Sequence, residues 1–396
     1  MDIFFLSTCA LVEKTAMREV LQVLFLAGLF LAGLANAVAQ VDPEDIKMTI
    51  KSRNGEVVDC VDIYKQPSLN NPLLKDLKHQ ETQAAAVKQE WHKTTRQCPT
   101  GSIPILRTDD AAPDLGPLYP VLDDSVGDAN SPRYEFAAAI AANGPYSGAY
   151  VLLPAWKAMR VHDSEYTATY LLLAGTANPD FDPKPGILPP DVTNQIGVGL
   201  FGYPFPPGVD NNPLLNIFYT PDDGKTLCYN LNCGGFVQTN SAVALGASVV
   251  KAASSVNDTA PSYLVSIHKD PAGPWHVLVN DADLGYYPRT IFPWLFPEVV
   301  ANTVGGTVLN TWPDGKHTDT IMGNGRRPPG DDKPAVAKGY VAVDLAGNPF
   351  PDTLDNTVHT VPNCYDLKIL GQSKETPGSS VAFGGSGGPD CAPQLA

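Results

Sequence analysis

The chain is poor in positive charge: 27 Lys and Arg stand against 42 Asp and Glu in 396 residues, a formal net charge of −15. A nucleic-acid groove needs clustered cations to displace counterions, so that class of partner is excluded. The spacings of metal sites are missing too, since neither CxxC nor HxxxH occurs and the seven histidines are scattered. There is no phosphate loop or dinucleotide fingerprint, and no cofactor is expected. Long helices have little room, because 34 Gly and 37 Pro are spread along the sequence. What remains is 43% hydrophobic, enough to bury a core and against disorder. These features describe a large, acidic, turn-rich globular protein that is mostly β.

The first 39 residues read as a secretory signal peptide. Met17-Arg18-Glu19 offers a second start after Met1, and an uninterrupted apolar run follows from Val23 to Ala35. The run ends in Ala35-Asn36-Ala37 and Ala37-Val38-Ala39, small-x-small sites of the kind signal peptidase accepts. The competing reading is an uncleaved signal-anchor, since Val20 to Ala39 nearly suffices to span a bilayer. No later stretch approaches that length, so no membrane association is expected after cleavage. The protein is expected to be secreted, with the cell wall, apoplast or vacuole as destinations.

Cysteine usage agrees with export. Cys9 lies in the signal, leaving Cys60, Cys98, Cys228, Cys233, Cys364 and Cys391. Six cysteines allow 15 connectivities. Pairing neighbours (60–98, 228–233, 364–391) is the simplest and suits an oxidising compartment. The one N-x-S/T sequon, Asn257-Asp258-Thr259, is a candidate glycosylation site in a loop.

Composition divides the remainder. Residues 40–108 are lysine-rich and carry a helix-forming stretch from His79 to His92, with Ala84, Ala85, Ala86 and Val87 at its centre. Residues 109–132 are dominated by Asp, Pro and Gly and read as an exposed acidic joint open to proteolysis. From 133 to 396 the punctuation is that of strands. Gly148–Trp156, Tyr166–Gly175, Gln195–Tyr203, Leu214–Thr220, Ser262–His268, Trp275–Val279 and Gly305–Asn310 are each bounded by turn residues. Turns such as Asp223-Gly224 and Asp314-Gly315 separate them. In Tyr166–Leu172, period-2 alternation puts Tyr166, Ala168, Tyr170 and Leu172 on one face. Many short strands with Gly/Pro turns predict a β-sandwich or barrel.

Two apparent chemical motifs are discounted. Gly384-Gly385-Ser386-Gly387-Gly388 satisfies G-x-S-x-G, but a nucleophilic serine needs a base histidine and an orienting acid. The hydrolase elbow also needs a strand before and a helix after the serine. The surrounding PGSSVAFGGSGGPDC reads as a low-complexity C-terminal turn. His268, His276 and His317 read as polar strand-end or loop residues rather than ligands.

Several motifs, in order, carry a resemblance. VDCVDIYKQP (58–67), NPLLK (71–75) and CPTGSIPI (98–105) resemble the activation propeptide of the plant neprosin family. CYNLNCGGFVQ (228–238), KDP (269–271), GYYP (285–288), HTDTIMGNG (317–325) and NCYD (363–366) are similar to the core of its peptidase domain. The resemblance implies an N-terminal activation domain, which would itself be a partner of the C-terminal antiparallel β-sandwich of two sheets. It also implies a glutamic endopeptidase that cleaves after proline, with one glutamate activating water and a second, kept protonated, donating to the carbonyl oxygen or leaving amine.

At those two positions this chain has Gly197 (in Ile196-Gly197-Val198-Gly199-Leu200) and Thr307 (in Val304-Gly305-Gly306-Thr307-Val308). Neither shuttles a proton near neutral or acidic pH, and each general acid or base typically contributes about 10²–10⁴ in rate. Two expectations follow. One is a catalytically impaired homologue that binds proline-rich peptide or cell-wall polymer in the old cleft. The other is an active acid peptidase with relocated carboxylates, for which Glu165, Glu298, Asp281 and Asp283 are the candidates.

Overall fold

Alternating apolar residues and Gly/Pro punctuation give strands nearly everywhere that the chain is ordered into elements. The computed structural model describes residues 41–74, 77, 81–82, 87–107, 132–176, 192–204, 211–220, 226–292, 296, 298–372 and 376–391. The signal peptide, nearly all of the acidic joint and the Asp223-Gly224 turn lie outside them. The N-terminal unit is an antiparallel meander of β1 (Ile46–Lys51), β2 (Val57–Asp62) and β3 (Ser102–Leu106), with short 3₁₀ turns between. From Val41 onward the chain packs as one unit.

The C-terminal part supplies β4 (Arg133–Ala141), β5 (Gly148–Pro154), β6 (Thr167–Thr176), β7 (Val192–Gly202), β8 (Leu214–Tyr219), β9 (Cys228–Tyr229), β10 (Val237–Gln238) and β11 (Ser262–Lys269). It continues with β12 (Trp275–Val279), β13 (Ala282–Tyr287), β14 (Ala301–Asn310), β15 (Ala335–Val343), β16 (Pro349–Phe350), β17 (Asn356–His359), β18 (Asp366–Gln372) and β19 (Ser379–Gly384). A seven-stranded sheet has the order β17-β4-β14-β6-β7-β8-β9, and a nine-stranded sheet runs β10-β13-β12-β11-β5-β15-β19-β18 with β16 on β15. Every pairing is antiparallel. This is the expected all-β architecture of two sheets.

The core lies between the sheets. Ala137, Ala139, Leu171, Leu173, Ile196, Val198, Val304 and Val308 from the seven-stranded sheet meet Ala149, Val151, Leu153, Val265, Ile267 and Val381 from the other. The same seven strands bury a second face. There Tyr166, Ala168, Tyr170, Leu172, Ala174, Phe201, Phe218 and Leu309 form a separate cluster. The alternation read from Tyr166–Leu172 holds: those four residues share the second face while Leu171 and Leu173 enter the inter-sheet core.

Two sequence expectations are corrected. No helix runs from His79 to His92 in the described residues: Thr82 bridges Asn240, Gln89 bridges Val249, and Glu90–Thr94 form a 3₁₀ turn. At Thr82 and Gln89, bridges to the sandwich override the local helix signal; residues 83–86 lie outside the described set. The unit expected to be mixed therefore contains strands and 3₁₀ turns there. The C-terminal low-complexity segment instead contains β19, buried along its whole length and paired to both β15 and β18. Val381 and Phe383 place it in the inter-sheet core, a gain that outweighs its glycine-rich flanks.

All three neighbour disulfides form: Cys60–Cys98, Cys228–Cys233 and Cys364–Cys391. Among the described residues no helix is long and apolar enough to cross a membrane.

Candidate functional site

Gly197 and Thr307 lie on the second face of the seven-stranded sheet. In register, Gly197 on β7 is level with Leu172 on β6, and Leu172 with Thr303 on β14. Thr307 is level with Ala168, four residues along β6. Leu172 and Ala168 both belong to the second-face cluster, so side chains at 197 and 307 point the same way, two strands apart across β6. The two positions therefore do face a common surface.

That surface is aromatic. A Cβ built on Gly197 would overlap the ring of Phe218, the residue directly opposite on β8. Phe218 is held edge-on by Tyr170 and Phe201, with ring centroids 6.3 and 6.0 Å away, and is tilted against Tyr229 at 6.0 Å. Tyr166 stacks on Phe201 at 5.6 Å, and Tyr203 stacks on Phe201 from a second direction at 6.3 Å. Aromatic pairs at 4.5–7 Å are favourable beyond their burial, so the layer resists opening. Glycine is needed at 197 because a ring already fills its side-chain space. Thr307 is fully buried, and its hydroxyl donates to the Glu135 carbonyl oxygen at 3.2 Å. It is a satisfied strand residue.

Burial sets the electrostatics of this face. The Tyr166 hydroxyl is pushed well above the usual phenol range, chiefly by burial and then by the hydroxyls of Tyr229, Tyr134 and Tyr203. Tyr203 is likewise raised by burial. These phenols stay neutral, and with Gly197 and Thr307 they bring no proton-transfer group of suitable pKa to the face.

The candidate replacement carboxylates sit elsewhere. Glu165 is 1% exposed, and its Oε1 accepts from the Thr311 backbone (2.9 Å) and hydroxyl (3.0 Å). Its Oε2 accepts from the Thr318 and Thr320 hydroxyls. Four donors fill the lone-pair sites of one carboxylate, leaving none for a substrate water. Glu165 anchors the 311–320 loop. Glu298 is half-buried and Asp281 is exposed. Asp283 accepts from the Gly285 backbone at 2.9 Å and lies 2.8 Å from His276 Nδ1. The bonds given for Glu165 and Asp283 involve no residue of the face that holds Gly197 and Thr307.

The sequence reading missed a buried pair at the end of β4. Glu135, 1% exposed, lies 2.6 Å from His317 Nδ1 through Oε1, which also accepts from Asn310 Nδ2 at 2.7 Å. Its Oε2 is buried without a hydrogen-bond partner. Glu135 is paired with Val308, so it turns toward the inter-sheet side while Thr307 turns away. The available signal was a lone glutamate inside the apolar run Tyr134–Ala141. His317 is the loop residue expected, and it is also the buried partner of a carboxylate. His268 and His276 are also more than strand ends: they are cross-strand neighbours whose rings stack at 5.9 Å. Burial first, then His276, lowers the His268 pKa. Among the described residues no group of three ligating side chains could hold a metal ion.

Ser386 is exposed, its hydroxyl turns to the Gly387 carbonyl at 3.3 Å, and its own carbonyl accepts from Arg160. It is preceded by β19 and followed by a 3₁₀ turn at Pro389–Cys391, so the hydrolase elbow is not formed. Asn257 is exposed in its loop, as a glycan acceptor requires.

The family described as Neprosin matches residues 190–386, and the Neprosin activation peptide matches residues 49–113. Among solved structures, scytalido-glutamic peptidase with a peptide-based transition state analogue is similar at 9% identity and a TM-score of 0.30, over 65% of this chain and 100% of that one. SCP-B, a member of the Eqolisin family of peptidases in complex with the tripeptide Ala-Ile-His, is similar at 8% identity and a TM-score of 0.29, with the same coverage. With the activation-peptide match ahead of the Neprosin match, the chain belongs to the neprosin family.

Proposed function

We propose that this is a secreted neprosin-domain protein without glutamic peptidase chemistry, whose aromatic face binds neutral proline-rich peptide or wall polymer. The observation that carries the reading is Phe218 over Gly197, because it replaces the space of a carboxylate with a packed ring. A dyad needs one group to take a proton and another to give it, and glycine with a hydrogen-bonded threonine does neither. The partly buried Tyr134, Tyr203, Leu227 and Tyr229 pack at the margin of the layer and are its accessible part. Aromatic side chains are the groups on which polyproline II segments dock. Three disulfides support export, as does the signal-like sequence of the first 39 residues.

The test is equilibrium titration of the protein with a neutral proline-rich peptide, comparing wild type with Tyr203→Ala and Tyr229→Ala. Saturable binding weakened about tenfold or more by either change supports the reading; each such factor is about 1.4 kcal/mol. Unchanged affinity in both variants contradicts it.

A second reading, an acid peptidase with relocated carboxylates, is favoured by one observation, the unpartnered buried Oε2 of Glu135 beside His317. It requires Glu135→Gln to abolish cleavage of such a peptide in acid.

A further inference from the structure

The N-terminal unit is sewn into the sandwich by groups that do not titrate. Gln66 is fully buried; its Nε2 donates to the Gln238 carbonyl at 3.1 Å and its Oε1 accepts from the Gln238 N–H at 2.8 Å. One side chain thereby supplies both bonds of an antiparallel residue pair. Gln89, also fully buried, does the same for Ala244: Nε2 to its carbonyl at 2.7 Å, Oε1 from its N–H at 2.8 Å. The Trp91 indole N–H, at 2.9 Å from Oε1, fixes the amide orientation. Backbone bonds run alongside, from Thr82 to Thr239, Ser241 to Thr82, Glu90 to Ser248 and Val250 to Lys88, all at 2.9–3.0 Å.

Apolar packing crosses the same boundary. Ile50, Val58, Cys60 and Trp91 share one cluster with Ala244 and Ala247, while Leu74 and Val87 belong to the main core. The titratable side chains seen bonding across it are Glu56 to the Ser248 N–H (2.7 Å), Glu90 from Asn212 (3.2 Å) and His92 with the Ala242 carbonyl (2.8 Å). Lys93 balances Glu90 at 2.7 Å. Each disulfide lies within one side of the boundary.

We propose that the N-terminal unit is a permanent part of the working protein rather than a releasable cover, so that cutting the joint at 109–132 leaves a non-covalent two-chain particle. Buried amides and apolar side chains do not titrate, so their contacts across the boundary do not depend on pH. Among the described residues, His92 is a group at which acid loosens it. Burial, and then Lys88, hold the His92 pKa below its ordinary value of 6.5 against the Ala242 bond. A released unit therefore takes up that proton more readily, and docking is tightest above about pH 6.5.

The experiment inserts a site-specific protease recognition sequence between residues 109 and 132, cuts the folded full-length protein, and runs gel filtration at 1 μM. The fragments are expected to co-elute at the volume of the uncut chain at pH 7 and at pH 5, yet to separate on a denaturing gel without reductant. Separate elution at either pH overturns the proposal. In the cut protein, Gln89→Ala is expected to raise the dissociation constant at least about tenfold; an unchanged constant overturns the part assigned to the buried glutamines. Because the uncut Gln89→Ala chain stays covalently joined, its melting curve reports whether the variant folds.

Discussion

Along β6 neighbouring residues face opposite environments. Leu171 and Leu173 enter the inter-sheet core, among aliphatic side chains from both sheets, while Tyr166, Tyr170 and Leu172 turn to the second face, among rings. The inner face is a volume-filling problem that many aliphatic combinations solve. The second face is more particular, because Gly197, Phe218, Tyr170 and Phe201 fit only as a set. It also contains Gly197 and Thr307, the two positions that the sequence resemblance singles out. Gly197 and the Phe218 ring are one feature of the packing, and any larger side chain at 197 needs that ring to move.

The comparison can be broken most severely on the inner face. Leu171→Ala should cost about 2–5 kcal/mol by chemical denaturation. A loss under about 1 kcal/mol would mean that the inter-sheet core is not the main source of stability.

Gly197→Ala should cost about 1–3 kcal/mol, because one methyl must displace a buried ring. The loss should shrink in a Phe218→Ala background, with a coupling of about 1 kcal/mol or more in the double-mutant cycle. Additive losses would show that Phe218 does not dictate the glycine.

Thr307→Val should cost about 0.5–1.5 kcal/mol, the worth of its bond to the Glu135 carbonyl, and should leave any ligand affinity unchanged. A larger effect on binding than on stability would give the hydroxyl a role in recognition.

The smallest effect is expected from His92, remote from both faces. Its pKa is lowered on folding, so the unfolded chain binds the proton first and stability falls as pH drops below about 6.5. Thermal melts from pH 8 to pH 5 should show a shallower fall for His92→Gln than for wild type. Parallel curves would remove His92 from the pH dependence.

Much of the sandwich was legible because a half-buried strand writes its two faces in alternate residues. Trp275–Val279 matches β12 at both ends, and Tyr166–Leu172 gave the right face for each side chain. The Gly305–Asn310 strand was found but begins earlier, at Ala301. Other elements were hidden by physics that a local window does not contain. Thr82 and Gln89 are drawn into bridges by partners more than 150 residues away. The strand β19 read as a low-complexity turn because its burial depends on β15 and β18 on either side.

The site was half legible. Motif order singled out Gly197 and Thr307, and the strand register puts both on one face. Phe218 as the occupant of the Gly197 side-chain space could not be read from motif order, since only the β7–β8 register brings them together. Glu135 and His317, 182 residues apart, met for the same reason.

The most direct measurement is product mapping by mass spectrometry after incubating the protein, with its joint cut, with a proline-rich peptide from pH 3 to pH 6. The account predicts intact peptide for wild type at every pH. It also predicts intact peptide for Gly197→Glu with Thr307→Glu, and post-prolyl products only when Phe218→Ala is added to that pair. Post-prolyl products from the wild-type protein, abolished by Glu135→Gln, would contradict it.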